Sequence, residues 1–342
     1  MKKLLFLTIL LLITPFLFIS CSKSKKVLYI YNWSEYIAPE LMSKFEKDYN
    51  CKIVMDYFDS NEAMYAKLKV GSPGYDLIVP SSYMASIMNK KEMIINLDKS
   101  KIPNIKFIES KYSEKTEDPK MQYSVPYAVS FTGLGYNKKK TPAVKPTWSI
   151  FGDKQYYHQI SMFNDMRESI GAALKYLGYS LNTTDDKQLA EAKQLMIKWK
   201  KNLAAYQNEE AKTSLADGIL LVIQIYNGNM IQMQSDTPEM GFLIPEEGTS
   251  IGVEVLVIPS DSENRELAYN FINFMYEPEN CAKNMEYIAY LCPNTKALEL
   301  MDKDLLGKII ISDELFKKSE VIKDIGGENT KYVRMWDEIK AH

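Results

Sequence analysis

Short apolar runs and amphipathic segments alternate along the first third of the chain. The runs are five to seven residues long and rich in β-branched and aromatic residues, which predicts strands. The predicted strands are residues 27–31, 52–58 and 75–79. The segments after them have helical periodicity and are residues 40–49, residues 61–69 and a stretch ending at Lys91. This alternation is typical of an open α/β sheet and not of a β-sandwich.

The rest of the chain repeats this pattern after an extended segment. Residues 123–137 contain glycines and aromatic residues without helical periodicity, so we interpret them as a crossover between two domains. Further strands are predicted at residues 160–163, 203–206, 219–225, 241–244 and 253–258. Further helices are predicted at residues 164–178, 186–201, 265–276, 279–290 and 332–340. A chain of 342 residues is long enough for two such domains.

The first twenty residues have the pattern of a signal peptide and not of a folded element. Two lysines precede an apolar stretch that is short for a membrane span of about 20 residues. The tetrapeptide that ends at Cys21 is similar to a bacterial lipoprotein cleavage box, which predicts acylation of that cysteine. We therefore expect removal of residues 1–20 and a lipidated polar tether over residues 21–26. An ordinary secretory signal and a short membrane anchor are the alternatives, and each places the body outside the cytoplasm.

Charge and residue content exclude several functional classes. The chain has 42 basic and 44 acidic residues, and loss of residues 1–20 leaves a net charge of −4, which argues against a nucleic-acid partner. With two histidines and no Cys-x-x-Cys, we expect no metal site and no cofactor. No Gly-x-Ser-x-Gly motif is present, so we do not expect an enzyme. The odd number of cysteines in the body, Cys51, Cys281 and Cys292, leaves the disulfide state open.

The first predicted strand is followed directly by two aromatic rings, a hydroxyl and a carboxylate. These groups belong to Trp33, Ser34, Glu35 and Tyr36, and a helix begins near Pro39. A loop in this position lies at the carboxyl edge of an α/β sheet, where such sheets bind ligands. The rings can cover an aliphatic chain or a cation. An exposed turn with a half-buried tryptophan is an equally good interpretation.

Three acidic residues are candidates for binding a cation. Asp165 and Glu168 lie three residues apart at the start of a predicted helix, so together they could hold an ammonium group. The same spacing suits a helix cap, with Asp165 at the N-cap and Glu168 reaching back. Glu254 is the only charge in the apolar run of residues 252–258, and a buried carboxylate requires a compensating partner. That partner could be a protein cation, solvent at a sheet edge or a cationic ligand.

Three tyrosines lie at the ends of apolar segments or at breaks within them. They are Tyr83, Tyr226 and Tyr290. Each alone is typical of packing or of a hydrogen bond in a loop. Because Trp33 and Tyr36 also lie at predicted loop edges, the five rings together favour an aromatic-lined binding site.

Several ordered segments resemble the substrate-binding proteins of bacterial polyamine (spermidine/putrescine) ABC transporters. They are LYIYNWSEY at 28–36, SNEAMYAKL at 60–68, YDLIVPSSY at 75–83, LGYSLNTTD at 177–185 and DIG at 324–326. The resemblance covers the chain from about residue 27 to residue 341. It implies an α/β clamshell of the periplasmic-binding-protein type (type II-like), with a mixed sheet flanked by helices in each lobe. The implied lobes are residues 27–128 plus 254–298, and residues 129–253 plus 299–342.

The resemblance also implies which residues bind the polyamine. On the first lobe they are Trp33, Ser34, Glu35, Tyr36, Ser82 and Tyr83. The residues that complete the site are Asp165, Glu168, Asn208, Tyr226, Glu254 and Tyr290. In similar proteins acidic side chains bind the amino groups and aromatic rings cover the methylene groups.

The chain departs from the family pattern on one side of this implied site. Relatives commonly have three tryptophans around the ligand, whereas this chain keeps Trp33 and has Tyr226 and Gly252 in the other two places. Glu254 replaces a familiar aspartate, and Ile322 replaces a familiar glutamine. An amine left without a partner in a closed cleft costs about 1–3 kcal/mol, so we expect putrescine to bind at least as well as spermidine. The preferred polyamine is otherwise left open.

The leading hypothesis is therefore a lipid-anchored receptor that captures putrescine or spermidine and delivers it to a membrane permease. We expect a monomer at the cell surface or in the periplasm. A receptor for another cationic or small organic solute on the same scaffold is the main alternative. A surface adhesin is supported less because it does not require acids and rings at strand ends. A secreted hydrolase is supported less because the chain has no Gly-x-Ser-x-Gly motif, no metal cluster and almost no histidine for general-base catalysis.

Overall fold

The fold is α/β, with ten strands and fourteen α-helices in the part of the chain that the structure describes. A computed structural model describes residues 25–58, 60–71 and 74–342. The strands are β1 Lys26–Asn32, β2 Cys51–Tyr57, β3 Leu77–Ile78, β4 Val125–Asn137, β5 Ile160–Met162, β6 Ala205–Tyr206, β7 Val222–Tyr226, β8 Met240–Leu243, β9 Ser250–Leu256 and β10 Glu320–Val321.

Most strands are followed by a helix, as the alternating pattern predicts. The helices are α1 Pro39–Asp48, α2 Asn61–Lys69, α3 Ser82–Lys90, α4 Ser110–Ser113, α5 Met166–Tyr176, α6 Asp186–Lys200, α7 Glu209–Ala216, α8 Asn227–Asp236, α9 Arg265–Met275, α10 Pro278–Ile288, α11 Thr295–Leu298, α12 Lys303–Ile309, α13 Asp313–Lys318 and α14 Asn329–Ala341. Short 3₁₀ turns lie in the loops before β4 and β5 and before α14.

The smaller sheet is parallel and contains the first three strands in the order β2-β1-β3. β1 pairs with β2 along its whole length and with β3 over two residues. Beyond β3, Ile78 and Val257 exchange two backbone hydrogen bonds of 3.0 Å, which connect this sheet to the chain just after β9. The carboxyl ends of β1 and β3 therefore lie side by side, close to β9.

The larger sheet has seven strands, and its longest strand, β4, changes partner along its length. The first half of β4 pairs antiparallel with β9, as far as Phe131 opposite Ile251. From Thr132 onward β4 pairs with β7, and then also with β8. Ser250 pairs with β10 directly before β9 joins β4. We call Thr132 and Ser250 the switch point, because both strands pass there from one partner to another.

Apolar side chains form separate clusters on the two sides of the switch point. The first cluster joins the smaller sheet, the first half of β4, most of β9, α9 and α10, with Phe45 and Phe271 near its centre. The second lies around α5, α6 and α14 and contains Trp148 and Trp199. A third, smaller cluster lies between α7, α8 and β7. β4 leads from the first cluster to the second, as expected for the crossover segment, while the implied lobe boundaries stay a prediction.

Every predicted strand has a counterpart within a few residues. Ser60 caps α2, where its hydroxyl accepts the N–H of Ala63 at 3.2 Å. The sequence pattern did not predict α7, α8 or the short helices between residues 295 and 318. α8 begins with Asn-Gly-Asn, which has low helix propensity, so burial of Met230 and Ile231 stabilises it.

The predicted signal peptide over residues 1–20 and the predicted lipidation site Cys21 lie outside the described residues. Within the described part, no helix combines the length and the apolar character needed to span a membrane.

Candidate ligand-binding site

The candidate site lies where the carboxyl ends of several strands meet, next to the switch point. It includes the loop after β1, the start of α3 after β3, the loop between β5 and α5, the end of β7, the middle of β9 and the turn after α10. Strand ends are where open α/β sheets bind ligands, because the loops there are free to carry polar side chains.

The loop after β1 contributes one side of the site through two rings. The indole N–H of Trp33 donates to the backbone carbonyl of Val79 at 2.9 Å and to the carboxylate of Glu254 at 3.2 Å. The ring of Tyr36 lies 5.4 Å from that of Tyr290 and 6.4 Å from that of Trp33, measured between centroids. These contacts place the two rings and one carboxylate around a common space.

Glu254 is a buried carboxylate without a basic partner among the described residues. Its side chain points from β9 toward the smaller sheet and accepts the hydroxyl of Ser81 at 3.0 Å, together with the indole N–H of Trp33. Desolvation raises the pKa of Glu254 to about 7, and these two donors oppose the shift. The sequence pattern correctly indicated an unusual buried acid at this position.

Asp165 and Glu168 have different surroundings, although they are three residues apart. Asp165 is the N-cap of α5 and accepts the backbone N–H groups of Arg167 and Glu168 at 2.9 and 3.0 Å, so the capping interpretation holds for this residue. Its side chain stays open to solvent, yet the surrounding protein raises its pKa by desolvation, with a further contribution from Glu62. The residue therefore lines a cleft.

The carboxylate of Glu168 does not reach back to the helix cap. It is buried and accepts hydrogen bonds from Ser250 at 2.5 Å, Thr132 at 2.8 Å and Tyr226 at 3.4 Å. Desolvation, followed by the charge of Asp165, raises the pKa of Glu168 to about 7, while the hydroxyl donors oppose the shift. Among the residues described, neither Glu168 nor Glu254 forms an ion pair with a basic side chain.

The three tyrosines expected at the site form hydrogen bonds through their hydroxyl groups as well as packing contacts. The hydroxyl of Tyr226 reaches Glu168, and its ring lies 4.8 Å from that of Phe163. The hydroxyl of Tyr83 donates to Glu62 at 3.2 Å. The hydroxyl of Tyr290 donates to Asn229 at 3.0 Å. Desolvation is the largest cause that raises the pKa of Tyr83, Tyr226 and Tyr290, so all three rings are neutral at physiological pH.

The remaining residues implied by the resemblance have no polar contact with these carboxylates. Ser34 and Glu35 are exposed, and Glu35 has a left-handed backbone with φ of 59°. Ser82 is buried, with a hydroxyl that has no hydrogen-bond partner among the described residues. Asn208 is exposed before α7 and accepts the backbone N–H of Asn164 at 3.0 Å, which connects two loops at the rim.

Sequence reasoning missed four residues that contact the site. Ser81 binds Glu254 directly, whereas the resemblance pointed to the next serine along the chain. Glu62 looked like an ordinary acid in the first turn of α2 and gave no signal of its own. Thr132 and Ser250 gave none either, because they lie 36 and 82 residues from Glu168 in sequence.

Two of the four departures from the family pattern, Gly252 and Ile322, lie in different surroundings. A Cβ atom added at Gly252 would overlap the hydroxyl of Ser130, its neighbour across the sheet. The space beside Gly252 is therefore partly filled by Ser130. Ile322 is half-buried in the segment after β10.

The arrangement is suited to an elongated cation and not to a metal. Three carboxylates and five rings border the site, and within the described residues no group of His, Cys, Asp or Glu is placed to hold a metal ion. The three cysteines there are buried free thiols. Carboxylates form strong charge-assisted hydrogen bonds with ammonium groups, and aromatic faces attract cations and cover methylene groups.

Comparisons with known proteins agree on one family. Residues 40–316 match the family described as "Bacterial extracellular solute-binding protein". The spermidine/putrescine-binding periplasmic protein of Salmonella typhimurium is 33% identical over 319 residues, which cover 92% of this chain and 91% of that protein.

Solved structures of two relatives have the same architecture. The spermidine/putrescine ABC transporter substrate-binding protein of Streptococcus pneumoniae is 32% identical with a TM-score of 0.85, covering 93% of this chain and 99% of that one. The TpPotD lipoprotein of Treponema pallidum is 35% identical with a TM-score of 0.87, covering 93% and 100%.

Proposed function

Because this chain belongs to the bacterial extracellular solute-binding protein family, we propose that it is the polyamine receptor of an ABC importer. It captures putrescine, spermidine or both in the cleft between two lobes and delivers them to the permease. Family membership confirms the two-lobe α/β fold class and the expectation of a binding receptor that is not an enzyme. The names of the relatives support polyamines as the ligand class.

The observation that carries this proposal is the pair of buried carboxylates without a basic partner. A buried ionised group is stable only when a partner compensates its desolvation, and Glu168 and Glu254 lack one within the described residues. A diamine supplies one ammonium group to each acid. Its apolar methylene chain then packs against Trp33, Tyr36 and Tyr226, and each ammonium group that lies over a ring face contributes roughly 0.5–2 kcal/mol more through a cation–π contact.

The second candidate is a receptor for another cationic or small organic solute on the same scaffold. The features that favour it are Gly252 and Ile322, which replace a ring and an amide of the family pattern, and Ser130, whose hydroxyl partly fills the space beside Gly252. These changes affect the end of the site near Glu254. They leave Glu168 and its hydroxyl donors unchanged.

Lipid anchoring and delivery complete the proposal. Acylation of Cys21 attaches a monomeric receptor to the membrane, in the periplasm or at the cell surface, through the tether of residues 21–26. The lipoprotein-like tetrapeptide supports this, as does the name of the Treponema pallidum relative, which is called a lipoprotein. We propose the lobe boundaries that the resemblance implies, with residues 27–128 plus 254–298 opposite residues 129–253 plus 299–342.

Titration calorimetry on the body of the protein tests the ligand class and its selectivity. We expect putrescine and spermidine to bind, with putrescine at least as tight because the Glu254 end offers an extra amine few partners. The matched controls are 1,4-butanediol, which keeps the length without charge, and 4-aminobutanoate, which keeps one amine. We expect both to bind much more weakly.

Two results would contradict parts of this proposal. Equal binding of the diol would remove the role of the carboxylates, and mass spectrometry of small molecules released from the denatured protein would then identify the solute. A spermidine preference of about tenfold, or about 1.4 kcal/mol, would leave the function intact and overturn the expected selectivity.

Ligand binding is expected to close the lobes over the polyamine. We expect closure because the site residues lie on both sides, which β4 and β9 connect. Closure excludes water, and each charge pair is stronger in the drier cleft. Small-angle scattering should show a smaller radius of gyration in saturating putrescine. The Glu254→Gln protein at the same concentration is the control, and an unchanged radius for the unaltered protein would rule out closure.

A further inference from the structure

Glu168 is hydrogen-bonded to both strands of the switch point. Thr132 on β4 and Ser250 on β9 both lie within hydrogen-bond distance of the same carboxylate oxygen, Oε2, and their hydroxyl oxygens are 2.9 Å apart. All three side chains are buried. The backbone of Glu168 is held separately, because Gln224 on β7 donates to its carbonyl at 3.3 Å.

The hydrogen bonds among Glu168, Thr132 and Ser250 depend on whether the carboxyl group of Glu168 is ionised. Each hydroxyl has one proton, so when Glu168 is ionised both can donate to its carboxylate. When Glu168 is protonated, the carboxyl group is neutral and accepts hydrogen bonds more weakly, and a proton on Oε2 itself would displace one of the two hydroxyl protons. The same two hydroxyls therefore favour the ionised form and fix the direction of the carboxylate.

We propose that Thr132 and Ser250 are positioning residues for ligand binding, which favour the ionised form of Glu168 at the switch point and direct its carboxylate so that it can bind an ammonium group. This inference rests on the proposed function. It assigns a role in the site to two neutral residues on strands that connect the clusters. Hydrogen bonds to a charged group are stronger than those between neutral groups, so their loss is measurable.

Other groups, on several elements, also influence the ionisation of Glu168. Asp165, at the cap of the same helix, opposes ionisation, and Tyr226 on β7 supports it through its hydroxyl. Arg167 interacts with Glu168 through its charge, although its guanidinium is hydrogen-bonded to Asn182. β4 and β9 contribute the two hydroxyls. Removal of either should therefore raise the pKa of Glu168 above the value of about 7.

The first arm of the test needs no ligand. Thr132→Val keeps the shape of the side chain and removes its hydroxyl, and Ser250→Ala removes the other. We expect the loss in melting temperature of each variant to grow between pH 5.5 and pH 8.5, because the missing donor stabilises the ionised form of Glu168 more than the protonated form. Thr249→Val is the matched control, since the Thr249 hydroxyl donates to the backbone carbonyl of Thr132 and not to Glu168. Its loss should not depend on pH.

The second arm measures putrescine affinity by calorimetry across the same pH range. We expect each variant to bind about tenfold more weakly at pH 7, with the acid limb of the affinity profile moved up by about one pH unit. Thr132→Ser keeps the hydroxyl and should restore both the affinity and the profile. A purely structural role of Thr132 would lower stability without moving the pH profile.

The outcomes separate this inference from the proposed function. If the unaltered protein binds no polyamine, the proposed function fails, while the first arm still tests the hydroxyl–carboxylate contact. Losses of stability that are equal at every pH, or unchanged pH profiles in Thr132→Val and Ser250→Ala, would overturn the positioning role. If Thr132→Val does not fold, Ser250→Ala carries the same test, because it removes a single oxygen atom.

Discussion

Replacing Glu254 by glutamine is expected to lower polyamine affinity by about 2–5 kcal/mol, a loss of roughly thirtyfold to several thousandfold. The change leaves a ligand ammonium group without its charged partner in a closed cleft. Glu168→Gln should have an effect of the same size, because Glu168 is equally buried and equally without a basic partner among the described residues. Asp165→Asn should cost less, since its side chain is open to solvent.

Stability measurements distinguish this loss from simple misfolding. Burial raises the pKa of Glu254, so its ionised form opposes folding above its usual pKa, and glutamine removes that cost. The ligand-free Glu254→Gln protein should therefore be at least as stable as the original at pH 8. Glu263→Gln is the control, because Glu263 is exposed beside Lys26 at the opposite end of β1. Near-original affinity in both Glu168→Gln and Glu254→Gln would place the site elsewhere.

Acidification is expected to weaken polyamine binding strongly in the unaltered protein. The pKa values of Glu168 and Glu254 are each about 7 without ligand, against an ordinary value of 4.5. A bound ammonium group favours the ionised form, so binding is strongest above pH 7 and weakens below it as each acid gains a proton. From pH 8 to pH 5.5 the dissociation constant should rise on the order of a hundredfold to a thousandfold.

Calorimetry in buffers of different ionisation enthalpy measures this effect directly. Near pH 7 we expect binding to release protons, because the ligand drives both carboxyl groups to the ionised form. The amines of the ligand stay charged over this range, as a lysine does. Glu168→Gln and Glu254→Gln should each flatten the profile. A dissociation constant that is constant from pH 5.5 to pH 8 would mean that neither acid binds the amine.

Local sequence signals predicted the elements well and the site only in part. Glu254 was identified because a single charge interrupts an apolar run, and Asp165 because capping spacing is visible within four residues. Both signals lie within a few residues of sequence, so they can be recognised without knowledge of the fold. The alternation of strands and helices predicted the α/β class for the same reason.

The partners of these residues could not be predicted, because they come from distant parts of the chain. Ser81 lies 173 residues from Glu254, and Ser250 lies 82 residues from Glu168. Ser81 meets Glu254 because the chain after β3 bridges to β9, and Ser250 reaches the site where β9 passes from β10 to β4. α8 was missed because tertiary packing, and not its own sequence, stabilises it.

The partner change of β4 has a consequence for how the chain folds. Val125 pairs with Leu256 across an interval of about 130 residues, so the first cluster cannot be completed until the chain has been made beyond β9. Folding is slow when it requires pairing between strands that are far apart in the sequence. Until β9 has been made, the first half of β4 lacks its partner strand, and apolar side chains of the first cluster stay exposed. We therefore expect the first cluster, which the strand joining the two sides of the binding site helps to form, to be completed late in folding.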